Sequence, residues 1–290
     1  MGLTSIEWTE RVWNPVTGCS KVSPGCDHCY AETMSRRFGR PVVDGVKAFK
    51  PWDGINAAHN VVLHPERLAE PLRVKEPSMF FTCEMGDLFH ELVPWEFIVR
   101  VFDVMAATPQ HTYQVLTKRP GRMAYLAKRW PQIAQEVGLS WAWPPNVWAG
   151  TSVESSKYLP RLDVLARVPA KVRFVSAEPL LGPLDLTPWL EDDQRAFDRF
   201  SALFETRRVM ADPHPGLLQW VIAGGESGPG YRKPEIAWFT DLRDQCVAAG
   251  VPFFLKQMGG LRPGGPALLD GREWREMPEA KPVETAPATG

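Results

Sequence analysis

The sequence is short of cysteine and of net charge, and it has no long apolar run. Five cysteines in 290 residues are too few for a disulfide scaffold. A formal net charge of −1 removes any global attraction to nucleic acid or an anionic membrane and leaves only local basic clefts. No apolar run reaches the ~18–20 residues of a transmembrane helix. Met1–Glu10 is polar and lacks an apolar h-region, so no secretory signal is expected. These absences predict a soluble protein in a reducing, cytoplasmic setting, with no membrane partner. There is also no internal repeat, and no glycine-rich dinucleotide fingerprint follows an early strand.

What is present is core material and a regular alternation. Hydrophobic residues make up 44% of the chain, close to the globular norm of roughly 45–50%. Apolar β-rich runs occur at Met79–Cys83, Thr112–Thr117, Val147–Thr151, Val172–Ala177, Leu218–Ala223 and Val251–Leu255. Weaker ones lie at Arg11–Asn14 and Val61–His64. Amphipathic stretches fall between them: Pro94–Ala107, with Phe97, Val101, Val104 and Met105 on one face, then Arg122–Arg129, Tyr158–Arg167 and Ile236–Ala249. Runs without period-two alternation suit strands buried on both faces, and strand–helix alternation suits a parallel sheet covered by helices. The expected fold is α/β, a full or partial (β/α) barrel of mostly parallel strands, with an open doubly wound sheet as the alternative. Residues 1–277 read as one barrel-type domain, with insertions at about 40–60 and 187–216, and 278–290 reads as a disordered tail.

Three of the five cysteines share one loop, residues 18–30, as Cys19-x6-Cys26-x2-Cys29. Chance proximity is one explanation, but a Pro/Gly-rich loop offers thiols little apolar core to pack into. Zinc is a second, with Cys26-x2-Cys29 as a half-site and His28 as a further donor. A [4Fe-4S] cluster is a third: three thiolates leave one iron free for a small molecule.

Polar residues collect where the apolar runs stop. They are Glu84, Asp87 and His90; Thr117-Lys118-Arg119; Thr151-Ser152-Val153-Glu154; Ser176-Ala177-Glu178; Gly224-Gly225-Glu226-Ser227; and Lys256-Gln257. In parallel α/β architectures the C-terminal strand ends share one crevice where ligands bind. Paired glycines at 224 and 225 would let a ligand approach the backbone. Lys118 and Arg119 would contact an anion, and Trp52, Trp141 and Trp143 would stack on a base. Two other readings stay open: a hydrolase using Glu84, Asp87 and His90, and a non-catalytic zinc- or cluster-binding module that docks a partner protein.

The cysteine loop, with His28 before its last cysteine, resembles that of the radical S-adenosylmethionine (SAM) enzymes, although their usual first spacing is x3. More specifically, the chain resembles the phage-associated three-Cys-motif proteins. The residues that carry this are Trp13–Cys19, Cys26–Glu32, Glu84–Phe89, Leu116–Pro120, Trp148–Glu154, Ser176–Gly182 and Gly224–Gly228. The resemblance implies a radical-SAM-like barrel with a [4Fe-4S] cluster on Cys19, Cys26 and Cys29, and with SAM on the fourth iron. It implies reductive cleavage of SAM to modify or repair a substrate, nucleic acid among the options. Implied SAM contacts are Glu84, Thr117, Lys118, Arg119, Ser152, Glu178, Gly224, Gly225 and Glu226. Implied partners are an electron donor and a co-encoded methyltransferase-like protein.

Overall fold

The computed structural model describes residues 2–38, 49–138, 142–190, 217–262 and 266–279. The strands are β1 (Gly2–Leu3), β2 (Arg11–Trp13), β3 (Val16–Thr17), β4 (Val62–Leu63), β5 (Met79–Thr82), β6 (Thr112–Thr117), β7 (Val147–Ser152), β8 (Arg173–Ala177), β9 (Trp220–Gly224) and β10 (Phe253–Gln257). Eight of them form one sheet in the order β1-β2-β5-β6-β7-β8-β9-β10. Every pairing from β2 to β10 is parallel, and only β1 runs antiparallel, at the edge beside β2. The fold is therefore α/β with a mostly parallel sheet.

The sheet does not close among the described residues, since β1 and β10 stand at its two ends; of the full or partial barrel expected, closure is not seen and the mostly parallel sheet is. One expectation needs correction. Val61–His64 is not a sheet strand: its Val62–Leu63 pairs antiparallel with Val16–Thr17 as a separate two-stranded ribbon. A short apolar run carries no sign of which partner it takes.

The helices cover one face. They are α1 (Tyr30–Phe38), α2 (Trp95–Ala107), α3 (Pro120–Val137), α4 (Pro160–Leu165) and α5 (Ile236–Ala249), with shorter turns between. α2 buries Phe97, Ile98, Val101, Phe102 and Met105, spaced as one helical face. α3 starts on Pro120, whose missing N–H costs nothing there, and stops at Gly138 in the left-handed region (φ 74°). Expected helix Arg122–Arg129 is the middle of α3, and Tyr158–Arg167 shortens to α4 after a 3-10 turn. Trp143, expected to stack on a base, instead packs in this core beside Phe102 and Trp130; Trp141 lies outside the described residues.

The opposite face carries a second, aromatic cluster of Trp8, Trp148, Phe174, Trp220, Ile222 and Phe254, with Phe81 and Leu116 against it. Alternate residues of each strand point this way, as period two demands. Gly150 makes room for the Phe174 ring, whose Cζ lies 2.3 Å from where a Cβ would stand. Residues 274–276 run along β10, and Arg275 reaches Glu7 (3.0 Å), closing this end of the sheet beneath the cluster. Of the two expected insertions, residues 49–60 and 187–190 are described and the remainder lies outside, as do residues 280–290 of the expected tail. No helix among the described residues is long and apolar enough to cross a membrane.

Candidate active site

Parallel strands put all their C-terminal ends on one side of the sheet, and a cavity of about 240 Å³ opens there. Its wall includes Cys19, Cys26, Cys29, Glu84, Thr117, Lys118, Arg119, Ser152, Glu178, Gly225 and Glu226. Trp8 and Phe81, from the aromatic cluster, also line it, as do Trp52, Asp87 and Lys256. Of the expected cluster ligands and SAM contacts, Gly224 alone is off the wall. A Cβ there would meet Glu178 Oε1 at 2.5 Å, and one on Gly225 would meet Met258 O at 2.5 Å. The close approach that this glycine pair permits is made by the protein's own groups, not by a ligand.

Arg119 does not point a free guanidinium into the cavity. Its Nε donates to Glu91 (2.9 Å), Nη1 to Asp87 Oδ2 (3.0 Å) and Cys19 Sγ (3.3 Å), and Nη2 to Ser20 O (3.1 Å) and Ser20 Oγ (2.9 Å). Asp87 is fixed in turn by Thr117 Oγ1 (2.7 Å) and the Phe89 N–H (2.9 Å). The expected anion contact is thus a brace between β6, the Asp87 turn and the start of the cysteine loop. Lys118, the next residue back, faces the other side and sits 3.5 Å from Glu154 Oε1. Burial opposes its charge, but Glu154, Cys26 and Cys29 hold its pKa above the ordinary lysine value.

Glu226 is similarly committed. Its Oε2 accepts from His28 Nδ1 (2.9 Å), Arg232 Nε (3.0 Å) and the Arg232 backbone N–H (2.8 Å). Against the effect of burial, Arg232 and His28 hold its carboxyl below the usual range. Glu178 pairs with Lys256 (3.1 Å) and accepts from Ser176 Oγ (3.2 Å). Glu84, half-buried, accepts from Tyr30 OH.

The hydrolase reading fails on geometry. His90 is fully buried; its Nδ1 accepts from the Leu92 N–H (3.1 Å), so its Nε2 carries the proton toward Ser20 Oγ (2.8 Å). Burial and Arg119 push its pKa down. Both ring nitrogens are used, and neither addresses the cavity.

The thiols suit a cluster. All three line one cavity, yet among the described residues no three His, Cys, Asp or Glu side chains are grouped to hold a single metal ion. Thiolate sulfur is the donor type that iron–sulfur centres take. Burial, with Asp87 nearby, pushes the Cys19 thiol up to about 12, and burial raises Cys29 too. Arg119 and Lys118 pull the other way, so they would support thiolates once metal displaces the protons.

Sequence reasoning overlooked Arg232, Trp8 and the role of Glu154. Glu154 was visible as a strand-end carboxylate, whereas Arg232 had no signal beyond following a glycine-rich turn.

Comparison with known proteins gives a family. Residues 3–278 match the family described as "Protein of unknown function (DUF5131)", and the chain belongs to it. No curated protein matches. Among solved structures, a Cys-to-Ser variant of spore photoproduct lyase is similar at a TM-score of 0.47 and 12% identity, covering 86% of this chain and 76% of that one. A second variant of that enzyme, with bound AdoMet and dinucleoside spore photoproduct, has a TM-score of 0.40 at 12% identity and covers 74% and 56%.

Proposed function

We propose that this protein is a radical SAM-type iron–sulfur enzyme, with Cys19, Cys26 and Cys29 as ligands of a [4Fe-4S] cluster. One observation carries the reading: three thiols from one loop reach a common cavity at the C-terminal ends of the parallel strands. A cluster with SAM bound there supplies one-electron cleavage of the sulfonium and a 5′-deoxyadenosyl radical. The chain's part is to hold the thiols, orient the ligand and exclude water. Arg119 and Lys118 place positive charge beside the sulfurs. Glu84, Glu178 and Ser152 remain the polar groups on the wall closest in kind to contacts for the amine and ribose of SAM. Glu226 contributes through His28, by holding the ring beside Cys29.

We propose nucleic acid as the substrate class because Phe81 on the wall is partly exposed to a base, with the nearly buried Trp8 and Trp52 bordering it, and Lys256 stands at the same wall beside Glu178. The electron donor and the methyltransferase-like partner belong to this proposal as its external requirements. The test is anaerobic reconstitution with iron and sulfide, followed by reduction in the presence of SAM and single-stranded DNA or RNA. The expected result is a brown protein with about four irons per chain that forms 5′-deoxyadenosine, and a Cys19/Cys26/Cys29→Ala variant that does neither. A colourless protein holding stoichiometric zinc would overturn the reading and favour a partner-docking module.

A further inference from the structure

The cysteine loop is tied to three separate strand ends by groups that bind no metal. From the end of β6, Arg119 holds Ser20 through its carbonyl and its hydroxyl. Past the end of β7, Glu154 is fully buried. Its Oε1 accepts from Ser23 Oγ (2.7 Å) and lies near Lys118, while its Oε2 accepts from Arg161 Nη1 (2.9 Å). Gly25 packs directly on this carboxylate: a Cβ there would stand 2.5 Å from Glu154 Cγ. After β9, Arg232 donates to Pro24 O (2.8 Å) and pairs with Asp27 (3.5 Å), anchored by Glu226, which also takes His28. Both intervals between the cysteines are therefore pinned. Ser20, Ser23 and Pro24 are held between Cys19 and Cys26, and Asp27 and His28 between Cys26 and Cys29.

We infer that Glu154 and Arg232 are positioning residues that assemble the cysteine loop before any metal arrives. The inference rests on the reading above only for what the thiols go on to hold. Charge-assisted hydrogen bonds are among the stronger ones a protein makes, and two of the acceptors or donors here are buried. A loop shaped by metal alone would carry no such bonds and would fold only on loading. Here such bonds hold the loop on both sides of Cys26.

The five cysteines provide their own control. Cys246 is fully buried in the core and off the cavity wall, so its alkylation reports opening of the whole fold, whereas Cys19, Cys26 and Cys29, with Cys83 on the same wall, report the site. The experiment is timed iodoacetamide labelling of the metal-free full chain, read at each cysteine by peptide mass spectrometry. Glu154→Ala and Arg232→Ala should each speed labelling of Cys26 and Cys29 roughly tenfold or more, as expected for loss of a charged hydrogen bond. Cys246 should keep its wild-type rate. Glu154→Gln, which retains an acceptor for Ser23, should restore slow labelling. Iron uptake, measured on the same proteins, should fall in the two alanine variants and recover in Glu154→Gln. Unchanged labelling of the loop cysteines would overturn the inference, and so would acceleration of all five together, which would make these residues supports of the whole fold. A wild type that labels slowly but loads no iron would overturn the cluster reading and leave the pins standing.

Discussion

Replacing Arg119 by methionine tests whether this residue faces a ligand or braces the protein. Its side chain is 9% exposed and that of Asp87 is 6%. Asp87 Oδ1 already holds Thr117 and the Phe89 N–H, and Oδ2 faces Arg119. Removing the guanidinium leaves a buried carboxylate without its counter-charge, which costs about 3–5 kcal/mol. With about 2–4 °C per kcal/mol for a large domain, the melting temperature should fall by roughly 6–20 °C. The double variant Arg119→Met/Asp87→Asn removes the stranded charge and should melt above Arg119→Met, because residues in contact do not add. Calorimetry, with urea unfolding at unchanged m-value, gives both numbers. A ligand-facing arginine predicts the reverse: an intact fold with lost binding. Melting of Arg119→Met within about 2 °C of wild type would refute the bracing argument.

Two glycine substitutions probe the cavity wall and its floor. Gly150→Ala drives a methyl to 2.3 Å from the Phe174 ring, and Phe174 is fully buried beside Trp220. Overpacking of this kind costs about 1–3 kcal/mol, so a melting temperature equal to wild type would count against the aromatic floor. Gly224→Ala puts a methyl 2.5 Å from Glu178 Oε1 and should push that carboxylate off Lys256. We expect a loss of about 1–3 kcal/mol, part of it regained when Glu178→Ala is added; no regain would show that the clash lies elsewhere.

Much of the architecture was legible because burial on both faces leaves a direct mark. The six strong apolar runs all became parallel strands of one sheet, and most of the polar residues that end them meet on one cavity wall. Closure was not legible. Whether a sheet becomes a barrel depends on how its two edges meet, and edge pairing leaves no periodicity in the sequence. The individual roles of the charged residues were equally hidden. Ser23 and Glu154 are 131 residues apart and His28 and Glu226 are 198 apart, so no local pattern could pair them. The glycines at 224 and 225 signalled a close approach correctly, but the sequence could not say that Glu178 and the Met258 carbonyl would make it.

The near-zero net charge of the chain has a local counterpart in the cavity. Asp87 is matched by Arg119, Glu154 by Arg161 and Lys118, Glu226 by Arg232, and Glu178 by Lys256. Three wall carboxylates, Asp87, Glu178 and Glu226, are therefore already paired, as is Glu154 off the wall, whereas Glu84 on the wall takes the Tyr30 hydroxyl. Most wall carboxylates are thus unavailable as free charges, so directed hydrogen bonds and apolar contact with the wall must carry much of a ligand's binding. The same pairing explains why strand-end carboxylates were poor guides to ligand contacts. A buried charge needs a partner before it can serve any other purpose, and in this fold the first claim on most of them is the loop that carries the cysteines.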